Sequence, residues 1–164
     1  MTISYSHAAR GATTLSAGMI YYGNRGAPDT TEFYGSVSRE MVLNPTLSFY
    51  YDVDEGDGAV ALVSMNQDLP LFADVSVSLS AAASYNMNHR VMGTGFDGEP
   101  FAGFYHGELG MSVVVPVTRR LTLAPRVLYT FPLTDTARHA MQDASYDRNT
   151  GALLSAGIGV VFEF

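Results

Sequence analysis

The sequence predicts an all-β fold, an antiparallel up-and-down transmembrane β-barrel of about eight strands, or else the C-terminal part of a larger barrel. Three observations predict this class. Apolar and small polar residues alternate along nearly the whole chain, as they do on the two faces of a strand. The small polar set carries almost no charge, and the connections between the alternating segments are short and long in turn. Transmembrane β-barrels combine these properties.

The composition excludes several other classes of protein. The chain has 164 residues, of which 9 are basic and 16 acidic, and only 15% are charged, against roughly 25% in an average soluble domain. The acidic balance, with no cluster of basic residues, argues against nucleic acid as a partner. The absence of cysteine excludes a disulfide framework and a thiolate metal site. No run of about 20 apolar residues could form a spanning helix. The length suits one domain or part of a larger one, and no linker or low-complexity tract divides the chain, so residues 1–164 are expected to form a single β-barrel domain.

The most regular alternation lies in residues 74–88, where odd positions are mostly apolar and even positions are mostly serine or asparagine. This segment is about twice as long as an ordinary strand of five or six residues. The same pattern predicts eight strands, in order around residues 14–21, 31–41, 47–54, 59–68, 74–88, 105–115, 121–131 and 154–164.

Residues 1–11 are expected to be a tail or a partial extra strand. Ile3, Tyr5 and His7 alternate there with polar residues. A ninth strand would make the count odd, which is unusual for a bacterial single-chain barrel. In that case the chain would be the C-terminal part of a barrel with ten or more strands.

The alternation does not by itself say which face meets lipid, because a soluble barrel would place the apolar face inside. The other face consists mainly of Ser, Gly, Ala, Thr and Asn, which suit a narrow interior better than a water-exposed surface. The connections near 69–73 and 117–120 are short, whereas those at 89–103 and 132–150 are long. We therefore expect lipid on the apolar face, short periplasmic turns, long extracellular loops and, for eight strands, both termini in the periplasm.

Aromatic residues on the apolar face are expected to form a girdle at the extracellular interface of the membrane, as in other barrels of this kind. Phe162 and Phe164 would lie at the opposite interface. The expected members of the girdle are Tyr21, Phe33, Tyr51, Tyr85, Tyr105, Tyr129 and Phe131.

The ending Gly157-Ile-Gly-Val-Val-Phe-Glu-Phe164, with Ile158, Val160, Phe162 and Phe164 on one face, resembles the assembly signal of bacterial outer-membrane β-barrel proteins. The segments 17–22, 48–58 and 121–129 resemble porin-like proteins of that class. The resemblance implies location in the bacterial outer membrane, insertion by the barrel-assembly machinery, and contact with lipid and lipopolysaccharide.

The polar face carries a few residues that could line a lumen. His106 and Glu108 lie two residues apart on one strand, and Arg126 should face inward from the next strand. They could set ion selectivity as charged rings do in channels, or they could form a hydrogen-bonded network that fills a narrow interior. Two ligands make no metal site. The full set of candidates is Tyr50, Asp52, Asn66, Asn86, His106, Glu108 and Arg126.

The acidic segment Asp52–Gly58 fails as an EF-hand loop. That motif needs Gly at its sixth position and Glu at its twelfth, where this chain has Asp57 and Val63. An acidic hairpin tip is expected, with weak binding of divalent cations as the alternative. No nucleophile stands in sequence beside a base with an orienting third residue, so we expect no enzyme activity and no cofactor.

The predicted function is that of a narrow porin or passive channel. Two alternatives stay open. The barrel could be closed and structural or adhesive, with a partner bound by loops such as 132–150, which contains Arg138, His139 and Asp143. It could also be a subunit of a larger envelope complex with other envelope proteins as partners.

Overall fold

The computed structural model describes residues 1–24, 28–72, 74–144 and 151–162. Nine strands form one antiparallel sheet in which every strand pairs with its neighbours in sequence. One α-helix and one turn of 3-10 helix (Arg90–Met92) complete the regular structure of these residues. The elements are β1 (Thr2–Ala9), β2 (Thr13–Tyr22), β3 (Thr30–Arg39), β4 (Thr46–Asp52), β5 (Gly58–Phe72), β6 (Val75–Met87), β7 (Ala102–Thr118), β8 (Leu121–Pro132), α1 (Asp135–Ala144) and β9 (Leu153–Phe162).

The all-β antiparallel class is confirmed, but the expected count of eight strands is wrong. Residues 2–9 form a complete strand that pairs with β2 from Thr2 opposite Ile20 to Ala9 opposite Thr13. The alternation at the start of the chain therefore marked a ninth strand. Within the described residues the sheet is open, because β1 and β9 each have a paired neighbour on one side alone.

The two faces of the sheet differ in chemistry, and in strands such as β4 they also differ in exposure, whereas both faces of the edge strands β1 and β9 are largely exposed. In β4, Phe49 is 45% exposed on one face, whereas Ser48 and Asp52 are 7% and 1% exposed on the other. We call these the apolar face and the polar face. The apolar face includes, one from each strand, Tyr5, Leu15, Phe33, Phe49, Val63, Leu79, Met111, Val127 and Ile158. The polar face includes Ser6, Ser16, Ser36, Ser48, Ser64, Ser84, Ser112, Arg126 and Ser155.

The connections are short at one end of the sheet, the turn end, and mostly longer at the other, the loop end. The turn end has residues 10–12, 40–45, 73–74 and 119–120 between its strands. The loop end has 23–29, 53–57, 88–101 and 133–152. Two of the strand prolines, Pro70 and Pro116, each lie beside a register irregularity near the turn end, where a residue without an N–H is tolerated.

A small apolar cluster forms at the loop end, where α1 packs against the start of β7. Ala137 and Ala140 of the helix are fully buried against Phe101 and Tyr105. Thr134 immediately precedes the helix, and its hydroxyl accepts a hydrogen bond of 3.0 Å from the Ala137 N–H, as an N-cap does. The segment 132–150, expected as a plain loop, therefore contains a helix. Among the described residues no helix is long and apolar enough to cross a membrane.

Gly93 allows the 88–101 connection to approach this helix. Its φ is +86°, and a Cβ there would lie 2.0 Å from the carbonyl oxygen of Ala140. A side chain would be strained by the backbone conformation and would also clash with α1. The cluster thus depends on a residue without a side chain.

A β-bulge in β7 moves Tyr105 away from the expected aromatic girdle. The register changes from Ala83 opposite Gly107 to Tyr85 opposite Phe104, so one extra residue is accommodated in β7. Tyr105 is buried against α1, and Phe104 takes the place on the apolar face. Its ring meets the ring of Tyr85 edge-on, with centroids 5.3 Å apart.

The first and last strands run in the same direction, from the loop end to the turn end. The N-terminal ammonium of Met1 donates to the carbonyl of Tyr21 at the loop end, whereas Phe162 pairs with Leu121 at the turn end. The expectation that both termini lie on one side rested on an even number of strands. With nine strands, Met1 and Phe162 lie at opposite ends of the sheet.

Candidate functional site

The predicted lining residues lie on the polar face, but at three different distances from the loop end. Asp52 and Asn86 are fully buried near the loop end. His106 and Glu108 lie farther from it, and Asn66 and Arg126 lie farther still, around a concavity. Tyr50 stacks on Tyr34 of the neighbouring strand, with ring centroids 5.9 Å apart.

At the loop end, two carboxylates meet an imidazole. Glu32 of β3 pairs directly with Asp52 of β4 in the sheet register, which places both side chains on the polar face. The Nε2 atom of His89 lies 3.9 Å from Oε1 of Glu32 and 3.8 Å from Oδ2 of Asp52. Carboxylate oxygens and imidazole nitrogens are the ligand types of many metal sites, and their ligand atoms lie within 4.8 Å of one another here.

Neighbouring donors hold both carboxylates in place. The hydroxyl of Thr30 lies 2.6 Å from each carboxylate oxygen of Asp52, and the Asp54 N–H donates to Oδ1 at 2.9 Å. The hydroxyl of Tyr22 donates to Oε2 of Glu32 at 2.8 Å. The other oxygen of Glu32 thus remains directed toward the imidazole.

The position of His89 depends on its backbone and on a glycine. Its N–H donates to the side-chain carbonyl of Asn86 at 3.1 Å. A Cβ on Gly56 would lie 2.4 Å from Cε1 of the His89 ring. The ring therefore occupies the space that a side chain at position 56 would need. Next to it, the guanidinium of Arg90 and the carboxylate of Asp57 form an exposed ion pair at 2.5 Å.

Sequence reasoning placed Asp52 on the polar face but did not bring Glu32 or His89 to it. The Glu32–Asp52 pair follows from the register of the β3–β4 hairpin, and this signal could have been found by aligning the two alternating segments. His89 belongs to the 88–101 connection, whose path depends on its packing against α1. The acidic segment Asp52–Gly58 does not act as one unit, since Asp52 turns inward while Asp57 pairs with Arg90.

A second polar group surrounds the β-bulge. The Ser84 hydroxyl lies 2.8 Å from Nδ1 of His106 and accepts a hydrogen bond of 3.1 Å from the His106 N–H. Nε2 of His106 lies 3.5 Å from Oε1 of Glu108. This order of hydroxyl, imidazole and carboxylate has the composition of a nucleophile group, but Ser84 is 1% exposed. Its hydroxyl satisfies the backbone N–H that the bulge removes from the ladder.

Arg126 does not join His106 and Glu108 as expected. It pairs with Ser112 in the register, whereas Glu108 pairs with Thr130. Four residues of strand separate the two positions, which is roughly 13 Å. No ion pair forms between Arg126 and any carboxylate in the part of the chain that is described.

Arg126 instead borders a concavity of about 410 Å³ on the polar face of β5 to β9. Its walls are mainly small residues, because serine and glycine occupy most of the neighbouring positions. The polar-face residues that line it are Asn66, Ser78, Ser80, Gly110, Ser112, Arg126, Leu128, Ser155 and Gly157.

The expected members of the girdle lie toward the loop ends of their strands, but other aromatic residues of the apolar face do not: Tyr5 and Phe49 lie in the middle of β1 and β4, and Phe162 lies at the turn end. Phe131 is half-buried and stacks on Tyr129, with ring centroids 5.5 Å apart. The exposed members of the expected girdle are Tyr21, Phe33, Tyr51, Tyr85 and Tyr129, with Phe104 in the place expected for Tyr105.

In the C-terminal segment, Ile158, Val160 and Phe162 are exposed on the apolar face of β9. Phe164, the last residue of the expected assembly signal, lies outside the described residues.

Comparison with models of protein families, with curated proteins and with solved structures finds no match to this chain. Its function is therefore argued from its own geometry.

Proposed function

We propose that this chain forms nine adjacent strands in the wall of a β-barrel of the bacterial outer membrane, which acts as a narrow passive channel. One observation carries the proposal: exposed apolar side chains occupy one face of the sheet on all nine strands. A contiguous apolar surface of this extent is unfavourable in water. In a bilayer it would contact acyl chains, as the outer band of a barrel does.

The distribution of buried residues supports the same proposal. The accessible surface is 10914 Å², whereas a compact soluble protein of 17.7 kDa would have about 8,000 Å². Among the described residues, the buried apolar side chains are Ala59, Phe101, Tyr105, Ala137 and Ala140. A soluble protein of this size would bury far more apolar surface to offset the entropy of folding.

The polar face supports the channel part of the proposal. Small residues around Arg126 leave open volume near the middle of the strands, and the carboxylates of Glu32, Asp52 and Glu108 lie between this volume and the loop end. Fixed charges along a pore select ions by sign. With acidic groups in excess, we expect a preference for cations over anions.

A closed barrel with a binding surface is the second candidate. The packed unit of α1 and the 88–101 connection favours it, since a loop end with its own apolar cluster makes a defined surface. A rigid scaffold that carries ordered loops is a common arrangement for partner binding.

Conductance tests the proposal. The full-length protein, extracted in detergent and inserted into planar bilayers, is expected to give discrete steps with a cation preference. Arg126→Glu is expected to increase that preference, with Arg120→Glu in the β7–β8 turn as a control that leaves it nearly unchanged. Inserted protein without steps would favour the closed barrel. A monodisperse protein in buffer without detergent would overturn the membrane assignment.

A further inference from the structure

We propose that Glu32, Asp52 and His89 form a binding site for a divalent transition-metal ion, best suited to Zn²⁺, which fastens the 88–101 connection to β3 and β4. The site does not depend on the channel function. It is argued from the distances, the burial and the neighbouring donors of these three side chains.

The distances leave space for an ion between the three groups. Nε2 of His89 is 3.8 Å and 3.9 Å from the two carboxylate oxygens, too far for hydrogen bonds. Ligand atoms about 2.1 Å from a tetrahedral Zn²⁺ lie about 3.4 Å from one another. The three ligand atoms lie within 4.8 Å of one another. Side-chain rotations would therefore have to bring the imidazole and each carboxylate closer by roughly 0.5 Å, and the two carboxylates closer by up to about 1.4 Å, to complete the coordination.

The burial of His89 gives a second, independent indication. Its side chain is 7% exposed, and its Nε2 faces two carboxylates at 3.9 Å and 3.8 Å without a hydrogen bond to either. A buried polar atom without a partner is unfavourable. Coordination of a cation by Nε2 would give this atom a partner and would neutralise the two carboxylates beside it. Nδ1, on the other side of the ring, is buried without a partner among the described residues, and the ion would not contact it.

The carboxylates are already oriented as metal ligands are. Thr30 and the Asp54 N–H hold Asp52, and Tyr22 binds one oxygen of Glu32 while the other faces the imidazole. Such outer hydrogen bonds fix the ligand atoms and typically contribute tenfold or more to metal affinity. Few ligand rotations would therefore have to be fixed when the ion binds.

The donor set favours a transition metal over Ca²⁺ or Mg²⁺. Those two ions prefer shells of oxygen atoms alone, whereas one imidazole nitrogen with two carboxylate oxygens suits Zn²⁺. Three protein ligands would leave one position of a tetrahedral ion for water or for another ligand.

Titration of Zn²⁺ into the full chain tests the site. The detergent-extracted protein is treated with EDTA, dialysed and titrated calorimetrically. We expect about one ion per chain, a higher melting temperature with Zn²⁺, and the visible absorption of a tetrahedral site with Co²⁺. His89→Gln and Glu32→Gln are expected to abolish all three signals, while His7→Gln, on the exposed part of β1, should retain them.

A further variant separates loss of the site from loss of folding. Tyr22→Phe keeps all three ligands but removes one outer hydrogen bond, so we expect about tenfold weaker Zn²⁺ binding with an unchanged circular dichroism spectrum. Absence of saturable binding to the wild-type chain would overturn the proposal. Equal binding by His89→Gln, or equal affinity for Mg²⁺, would overturn it as well.

Discussion

Asp29, at the loop end between β2 and β3, shows how single contacts give these connections defined positions. The Tyr21 hydroxyl donates to its carboxylate, and the Asn24 N–H donates to the same carboxylate at 2.9 Å. The Tyr21 hydrogen bond first, and the Asn24 N–H second, lower the pKa of Asp29 below its ordinary value. A carboxylate with a lowered pKa contributes stability above the ordinary pKa, and that contribution is lost as the pH falls through the lowered value.

We therefore expect Tyr21→Phe to raise the pKa of Asp29 toward its ordinary value. The remaining Asn24 contact would keep part of the effect. NMR titration of the Asp29 side-chain carboxyl measures this directly, with Tyr51→Phe as a matched control on the same face. An unchanged midpoint in Tyr21→Phe would show that the hydroxyl does not bind the carboxylate in solution.

At the scale of elements, alternation predicted the strands because a period of two residues belongs to the backbone itself. Features that depend on packing were not predictable in this way. The bulge that buries Tyr105 arises where β7 meets α1, and the path of His89 depends on the 88–101 connection. The helix α1 has a local signal in the sequence, since Thr134 followed by Asp135 is typical of an N-cap followed by an acidic first turn. The alternation of apolar residues does not reveal it.

Thr134→Ala should destabilise α1 by about 1 kcal/mol, since the Ala137 N–H would lose its cap. Hydrogen exchange of the amides in α1 measures the change. Thr136→Ala, at the second residue of α1, is the matched control and should have little effect on the exchange rates. Equal exchange in both variants would mean that the cap contributes nothing to the helix.

At the scale of the whole molecule, the two faces are expected to differ in how well they tolerate an added charge. Leu79 is 43% exposed on the apolar face, and Ser80, the next residue, lies on the polar face. In a bilayer, Leu79→Arg should cost about 2–4 kcal/mol if it lies near the midplane, while Ser80→Arg should cost much less. Urea unfolding in lipid vesicles compares them. Equal costs would contradict a lipid environment on one face.

The shared direction of β1 and β9 limits how a ring could be completed. Joined edge to edge, they would create a single parallel seam in an otherwise antiparallel wall. An odd number of additional strands between β1 and β9 would remove that seam. The closed barrel would then have an even number of strands, at least ten, in agreement with the even numbers found in most bacterial barrels.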